Sequence, residues 1–522
     1  MPIVKVSLTG NYNNRTGATT KDCRLLNCYV EQIKEVGLNG QERVLEYVIK
    51  RPGITTWGDA TAISTGEPRG LYSWVIDDPA TAGILNFVYG VYGDDVVQFD
   101  EDDAGNRAVT GGTFATTTRQ VYFNEELANG RLFFRVFTSS GTLTELWYID
   151  NSATTTKVEV VDADYTAAEA VGGCFGLCSL DGYLFIGTFA GAQIYNSNLE
   201  DGTNWTAGGL LTANTLPEIQ HALVNYKNYI VSLKSKTINF FYDAANAAGS
   251  PLAIVEGSVQ NIGCKAGASV QADQNIVLFL GSGASGNLQI FALDGVNVAA
   301  VSSPAIERII TTSPFVQGSG SGDNRQYRAE LFRVNGKFFY LLNISNVSGA
   351  STLVFDIGLK KWSEWQSNLV AETNNWQLGL KDIISTYYDS TVLGNATFTG
   401  HTGKVYELTS AVYRDITTNI AFEVVTPIFD FGSNKQKFMH RLTLLCDEQT
   451  STSNITVEYS DDDYITWSTA RTLDMSKSNP TLYSLGSFKR RAFRLKSSAN
   501  TPIRIEGMEF DLSEGTYVGG NQ

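Results

Sequence analysis

Short runs of alternating apolar and polar residues recur along this chain, each broken by a turn containing Gly, Asp or Asn. Alternation at period two buries one side of a strand and leaves the other outside. An Asp-Gly or Asn-Gly step beside such runs favours a tight hairpin. Seven stretches fit: 83–99, 129–149, 181–195, 226–242, 274–294, 335–356 and 392–408. Their spacing of about 45–60 residues is the period of four-stranded propeller blades. Each hairpin is expected to supply two strands of a blade, and the looser sequence between hairpins the other two. Independent hairpins in a sandwich are the rival arrangement. The persistence of the period over about 330 residues favours the propeller. The pattern predicts an all-β chain with a central β-propeller of six or seven blades over residues 66–410.

The flanks read differently. Residues 1–65 hold a polar start, then KDCRLLNCYVEQI and ERVLEYVIKRPGITTW. The last piece reads as a strand running into a Pro52–Gly53 turn, where Gly can take positive φ. This N-terminal β-rich segment is expected to belong to a platform. Residues 411–522 read as a C-terminal β-sandwich, with six or seven strands between 420 and 514 and turn signals every 10–15 residues or so. Helical signal is confined to 304–311, with Pro304 at the first position, and a weaker stretch at 167–171.

Composition supports strands over helices, with 49 Gly, 24 Tyr and 27 Phe. The formal net charge of −15 disfavours a clamp on a phosphate backbone. A smooth acidic channel past which DNA slides remains compatible with it. The six cysteines, Cys23, Cys28, Cys174, Cys178, Cys264 and Cys446, read as reduced, partly buried thiols of a protein made in the cytosol. Cys174 and Cys178 flank Phe-Gly-Leu, but no second close pair with a nearby His completes a zinc set. The first residues show no basic stretch followed by an apolar core, so no secretory signal is expected. No apolar run approaches the roughly 20 residues of a spanning helix.

Motifs that carry chemistry are not nominated. The chain lacks a G-x-S-x-G elbow, an H-E-x-x-H pair and a phosphate loop. The run 281–286 (GSGASG) has no following Lys-Ser/Thr and reads as a hairpin loop, and 319–323 (SGSGD) as a connection. His221, His401 and His440 stand far apart and read as packed or solvated side chains. The acidic clusters Asp94–Asp95, 101–103 and 461–463 fall at turns, with no pair held in opposed environments as a glycosidase requires. Residues 460–467 (SDDDYITW) resemble the Asp-box hairpin of sialidase-type propellers. Ser460, Asp462, Thr466 and Trp467 match, while Tyr464 stands where the turn Gly belongs. Such a box holds a hairpin and does not bind substrate. Trp205, Trp362 and Trp365 are expected to close blades by packing. No residue is assigned to catalysis, to a cofactor or to a metal, and the residues lining any DNA channel are unassigned.

Three groups of motifs, in order, cover nearly the whole chain. They are NCYVE (27–31) with RPGIT (51–55); SLKSKTINFFYDAANAAGSPLAIVEG…NIGC (232–264) with LQIFALDG and SSPAIERII (288–310); and TPIFDFG…ITVEYSDD…RRAFRLK toward the end. This layout resembles the packaged-DNA stabilisation proteins of short-tailed phages, the tail accessory factor or tail nozzle family. The resemblance implies a non-enzymatic virion tail component, assembled in the host cytoplasm, that retains packaged DNA and lets it pass at ejection. It further implies a ring, usually a homohexamer, with a propeller and a platform. The implied partners are the portal and head-completion adaptor, a tail needle or plug, and tailspikes or fibres. Double-stranded DNA would pass through the lumen without sequence-specific binding, and no cofactor is implied. The alternative is a phage propeller that binds or cleaves glycans, as a receptor-binding adhesin or depolymerase.

Overall fold

The computed structural model describes residues 3–8, 23–36, 42–57, 68–77, 84–100, 107–116, 120–137, 144–170, 172–212, 218–246, 248–283, 286–312, 327–344, 351–366, 383–385, 391–394 and 405–515. Among the described residues the chain is all-β apart from short helices at Ala163–Glu169 and Pro304–Thr312 and one 3-10 turn. Each of the seven expected hairpins contains the two middle strands of an antiparallel sheet, although most of the turn in the seventh lies outside the described residues. The first sheet is Pro68–Asp77, Ile84–Tyr92, Asp95–Asp100 and Arg107–Val109. The second runs from Val121–Glu126 to Lys157–Glu159, the third from Cys178–Leu180 to Asp201–Thr212, and the fourth from Gln220–Tyr226 to Leu252–Ile254. The fifth is built on Val277–Ser282 and Leu288–Asp294, the sixth runs from Tyr327–Val334 to Lys361–Trp365, and the seventh holds Ile383–Ser385, Thr391–Gly394 and Val405–Thr409.

These sheets are propeller blades. The first strand of each packs against the first strand of the next, and Ile383–Ser385 packs against both Tyr327–Val334 and Pro68–Asp77, so the ring closes. The middle strands are apolar on both faces because each blade is covered by a neighbour on either side. Arg131–Phe137 (RLFFRVF) and Tyr183–Gly187 (YLFIG) are almost wholly buried. Two-residue turns at Asp181–Gly182 (φ 47 and 85) and Asn335–Gly336 (φ 50 and 70) have the positive angles that suit tight hairpins. An Asp at the end of the third strand starts the turn to the fourth in several blades. Asp150 Oδ1 accepts from Ser152 N at 2.9 Å, Asp243 Oδ1 from Ala245 N at 2.7 Å, and Asp356 Oδ1 from Leu359 N at 2.9 Å.

The last blade takes its fourth strand from the other end of the chain. Gly53–Trp57 pairs antiparallel with Val405–Thr409, from Gly53 opposite Thr409 to Trp57 opposite Val405. The sequence reads as a turn at Pro52–Gly53, where Gly can take positive φ. Gly53 instead sits in the strand at ordinary φ, and space explains it: an added Cβ would lie 2.3 Å from the Arg414 carbonyl oxygen.

A β-sandwich sits beside blades six and seven. One of its sheets has the order Cys28–Val36, Glu42–Lys50, Arg504–Glu514, Lys437–Cys446 and Thr481–Tyr483, with Ile3–Val6 on Arg504–Glu514 and Ser487–Phe488 on Lys437–Cys446. The other holds Arg24–Leu26, Phe422–Val425, Ala492–Ser497, Asn454–Ser460 and Arg471–Asp474, and it is continuous with blade six. Arg24–Leu26 joins Lys361–Trp365 by a parallel pairing at Leu26 and Glu364, giving nine strands in one sheet. Leu25, Val30, Val48, Leu442, Phe493 and Phe510 are among the residues that fill the space between the layers.

Candidate functional site

Two places in the fold gather polar side chains: the propeller axis and the junction with the sandwich. Around the axis, side chains on the inner strands tie blades one to six together in sequence. Tyr72 Oη donates to Glu125 Oε1 at 2.8 Å, Asn124 Nδ2 to the Leu177 carbonyl at 3.0 Å, and Ser179 N to Asn225 Oδ1 at 3.1 Å. Gly295 N donates to Tyr226 Oη at 2.7 Å, and Gln271 Nε2 to the Ala329 carbonyl at 2.5 Å. Burial raises the Glu125 carboxyl pKa, with the Tyr72 hydroxyl opposing the shift. The axis holds a cavity of about 590 Å³ whose wall includes Tyr72, Tyr122, Phe123, Asn225, Asp273 and Arg333. Arg333 Nη2 lies 3.4 Å from Asp273 Oδ2.

At the junction, Arg51 is fully buried and its donors are taken up by four residues. It forms a two-pronged pair with Asp415 (3.0 and 2.6 Å), donates from Nε to Asn27 Oδ1 at 3.0 Å, and reaches the Pro52 and Gln366 carbonyls at 2.9 and 2.8 Å. A guanidinium suits this place because its planar fork meets a carboxylate with two parallel bonds. Asn27, at φ 54, also accepts from Gln366 N at 2.7 Å and donates to the Ala421 carbonyl at 2.7 Å. The motifs NCYVE and RPGIT therefore meet in space, through Asn27 and Arg51. Tyr29, Ile54, Phe339, Trp365 and Leu408 form an apolar core around them that spans both modules.

The residues singled out in the sequence are dispersed. His221 is half-buried and edge-on to Phe189, and desolvation with the nearby Lys265 charge pushes its pKa down to about 4. His440 is exposed and 2.7 Å from Ser513 Oγ, while His401 lies outside the described residues. The six cysteines carry free thiols, five of them buried. Asp94 and Asp95 sit in an exposed turn, 101–103 and 319–323 lie outside the described residues, and Ser282–Leu288 closes a hairpin over part of the GSGASG run. Trp205, Trp362 and Trp365 are buried packing residues. Among the described residues no group of three or more His, Cys, Asp or Glu is placed to hold a metal.

The Asp-box stretch does hold a hairpin. Asp462 accepts from Thr466 N at 2.9 Å and from the Thr466 hydroxyl, and Ser460 Oγ donates to Asp462 Oδ1 at 2.8 Å. These bonds hold its carboxyl pKa down at about 2. Asp461 instead pairs with the buried Arg491 at 2.7 and 2.8 Å. Tyr464, standing in the glycine place, adopts φ 66.

Sequence reasoning missed the Arg51–Asp415 pair, whose partners are 364 positions apart. It also missed Arg135, buried between blades two and three, with Nη1 donating to the Cys174 and Gly176 carbonyls at 2.9 Å each. A lone Arg inside an apolar run was the available signal for Arg135. The distribution of charge was equally legible and went unread. Residues 53–409 carry 19 Lys/Arg and 35 Asp/Glu, whereas 1–52 and 410–522 together carry 20 and 19. The whole acidic excess falls within residues 53–409.

These features define the class: a seven-bladed β-propeller, closed by an N-terminal strand and joined to a β-sandwich through a shared sheet. The chain belongs to the bacteriophage P22 Gp10 β-propeller family, whose family model matches residues 44–392. It is a phage structural protein. No curated protein sequence matches it. Among solved structures it is similar to the extracellular domain of a hybrid two-component system from B. thetaiotaomicron, at 10% identity over 72% of this chain and TM-score 0.37. The chain spans 45% of that protein. It is also similar to the propeller domain of the Trilobed protease from Pyrococcus furiosus, at 11% identity over 67% of this chain and 97% of that one, TM-score 0.33. A third is an exo-β-1,3-galactanase from Phanerochaete chrysosporium, at 9% identity over 89% and 100%, TM-score 0.25. No helix among the described residues is long and apolar enough to cross a membrane.

Proposed function

We propose that this chain is the subunit of a ring-shaped nozzle in a short phage tail, below the portal and head-completion adaptor. It retains packaged DNA and provides the passage for ejection. Family membership across 44–392 carries the reading. The charge distribution supports it, because a wall with a large acidic surplus repels duplex phosphates and keeps DNA from sticking in transit. The protein acts mechanically and catalyses nothing. It works as a homohexamer in the virion tail after assembly in the host cytoplasm, with a tail needle or plug and tailspikes or fibres as further partners. Residues 66–410, closed by Gly53–Trp57, act as the propeller module, and the remainder of 1–65 with 411–522 as the platform.

Electron microscopy of the purified protein and of virions tests this. The expected result is a ring with a central channel about as wide as a DNA duplex, at the tail end of DNA-filled particles. Particles that lack the protein yet keep their DNA would overturn the reading, as would release of reducing sugar from a bacterial glycan by the purified protein.

A further inference from the structure

Two patches on different modules carry opposite charge around exposed apolar side chains. The first is on the propeller, where three turns of blades two and three are bonded together. Asn129 Nδ2 donates to the Glu200 carbonyl at 2.6 Å, and Glu200 N to the Gly182 carbonyl at 2.8 Å. These turns present Leu127, 87% exposed, and Leu199, 56% exposed. Asp181 and Glu200 are exposed beside them, and Asp150 and Asp201 are partly exposed. The nearby cation, Arg131, lies between Asp150 (3.7 Å), Asp201 (3.4 Å) and Glu126 (3.5 Å), which leaves the patch acidic.

The second patch is at the edge of the platform. Lys437 is buried, and its ammonium is held by the Ser433, Lys435 and Lys489 carbonyls, which draws two chain segments together. Those segments expose Lys435, Lys489 and Arg490 around Phe438, which is 45% exposed. Glu514, 3.7 Å from Lys435, and the exposed Asp430 are its acidic neighbours, two carboxylates against Lys435, Lys437, Lys489 and Arg490. This patch is basic with an aromatic centre, the complement of the first.

We propose, resting on the ring reading above, that the Leu127–Leu199 patch of one copy docks on the Phe438 patch of the next. The two patches differ, so the contact is heterologous, and heterologous contacts make rings when the rotation between successive copies closes. The molecule-wide charge selects this pairing. Propeller against propeller sets two surplus-acidic modules face to face, whereas propeller against platform meets a module of nearly balanced charge. Apolar centres within charged rims are the usual anatomy of a specific interface.

The test is charge reversal in the full chain, read as the protein concentration at which half the chains are in rings. Asp181→Lys with Glu200→Lys is expected to raise that concentration at least about tenfold, and so is Lys489→Glu with Arg490→Glu. All four substitutions in one chain restore it to within about threefold of wild type, because attraction returns with the signs exchanged. Thermal melting within a few degrees of wild type shows that each variant is folded. Either pair assembling like wild type, or a folded four-fold variant that does not recover, overturns the docking. A wild-type chain that forms no ring overturns the nozzle reading itself, so the two failures are distinct.

Discussion

Single side chains here are held by competing terms whose balance can be measured. Tyr464 occupies a left-handed turn at φ 66, which costs a non-glycine residue about 1–2 kcal/mol. Its ring is buried, and its hydroxyl donates to the Thr426 carbonyl at 2.9 Å. Losing a buried aromatic costs about 3–5 kcal/mol. Tyr464→Gly therefore relieves strain yet is expected to destabilise by about 2 kcal/mol in urea unfolding, despite restoring the Asp-box residue. A more stable glycine variant would show that strain outweighs burial. Arg51 and Asp415 pose the opposite case. Removing one partner alone leaves a buried charge and is expected to cost about 3–5 kcal/mol, while replacing both with apolar residues costs clearly less. A double-mutant cycle measures the difference.

Glu169 gives the residue scale a pH dependence. It touches the Thr144 hydroxyl beside Tyr165 and Arg135, and burial pushes its pKa from 4.5 up to about 7, against these hydrogen bonds and the Arg135 charge. The folded chain favours the protonated acid. Its contribution is present in full below about pH 4.5 and is lost as pH rises through about 7, a change on the order of 3 kcal/mol. Melting wild type and Glu169→Gln at pH 4.5 and pH 8 isolates it, since the glutamine does not titrate. Wild type should lose stability relative to the variant at the higher pH. Parallel curves would show that Glu169 is not the group responsible.

At the scale of elements, the middle strands of the blades were legible because they are long, apolar on both faces and joined by recognisable turns. The inner and outer strands were not. Cys178–Leu180 and Leu252–Ile254 are three residues each, too short for periodicity to register. Gly53–Trp57 resembles any other strand, and what makes it part of blade seven is a partner remote in sequence. The same distance hid Arg51–Asp415, so the junction was out of reach even though both of its N-terminal motifs had been noticed. Local chemistry, such as the Asp462–Thr466 turn, was readable. Closure predicts that Gly53→Ala, which forces a methyl against the Arg414 carbonyl, destabilises by about 1–3 kcal/mol. Limited proteolysis should then cut first near the seventh blade. An unchanged digestion pattern would argue against closure by this strand.

For the whole molecule the governing feature is the split between the acidic stretch 53–409 and flanking segments of nearly balanced charge. Non-specific duplex binding has typical Kd values of about 10⁻⁴–10⁻⁶ M at physiological salt. The wild-type chain is expected to bind duplex DNA more weakly than this range. Reversing exposed propeller acids outside the docking patch, such as Asp94 and Glu256, to lysine should bring binding into it, with the affinity falling as salt is raised. A nitrocellulose-retention titration at two salt concentrations reads both quantities. Tight binding by wild type would remove the case for an acidic passage.

The strand that completes blade seven also sets a clock on biogenesis. Trp57 leaves the ribosome well before its partner Val405. At about 5–20 residues per second, the nascent chain carries that strand unpaired for roughly 20–70 s. Through that interval the blades accumulate in an open arc whose end blades each lack a neighbour on one apolar face, and the waiting strand keeps bare edges available to any neighbouring chain. Neighbouring chains on one polysome are the nearest candidates for such mispairing. The yield of native subunit should therefore respond to translation rate and chaperone supply more strongly than the stability of the finished protein suggests.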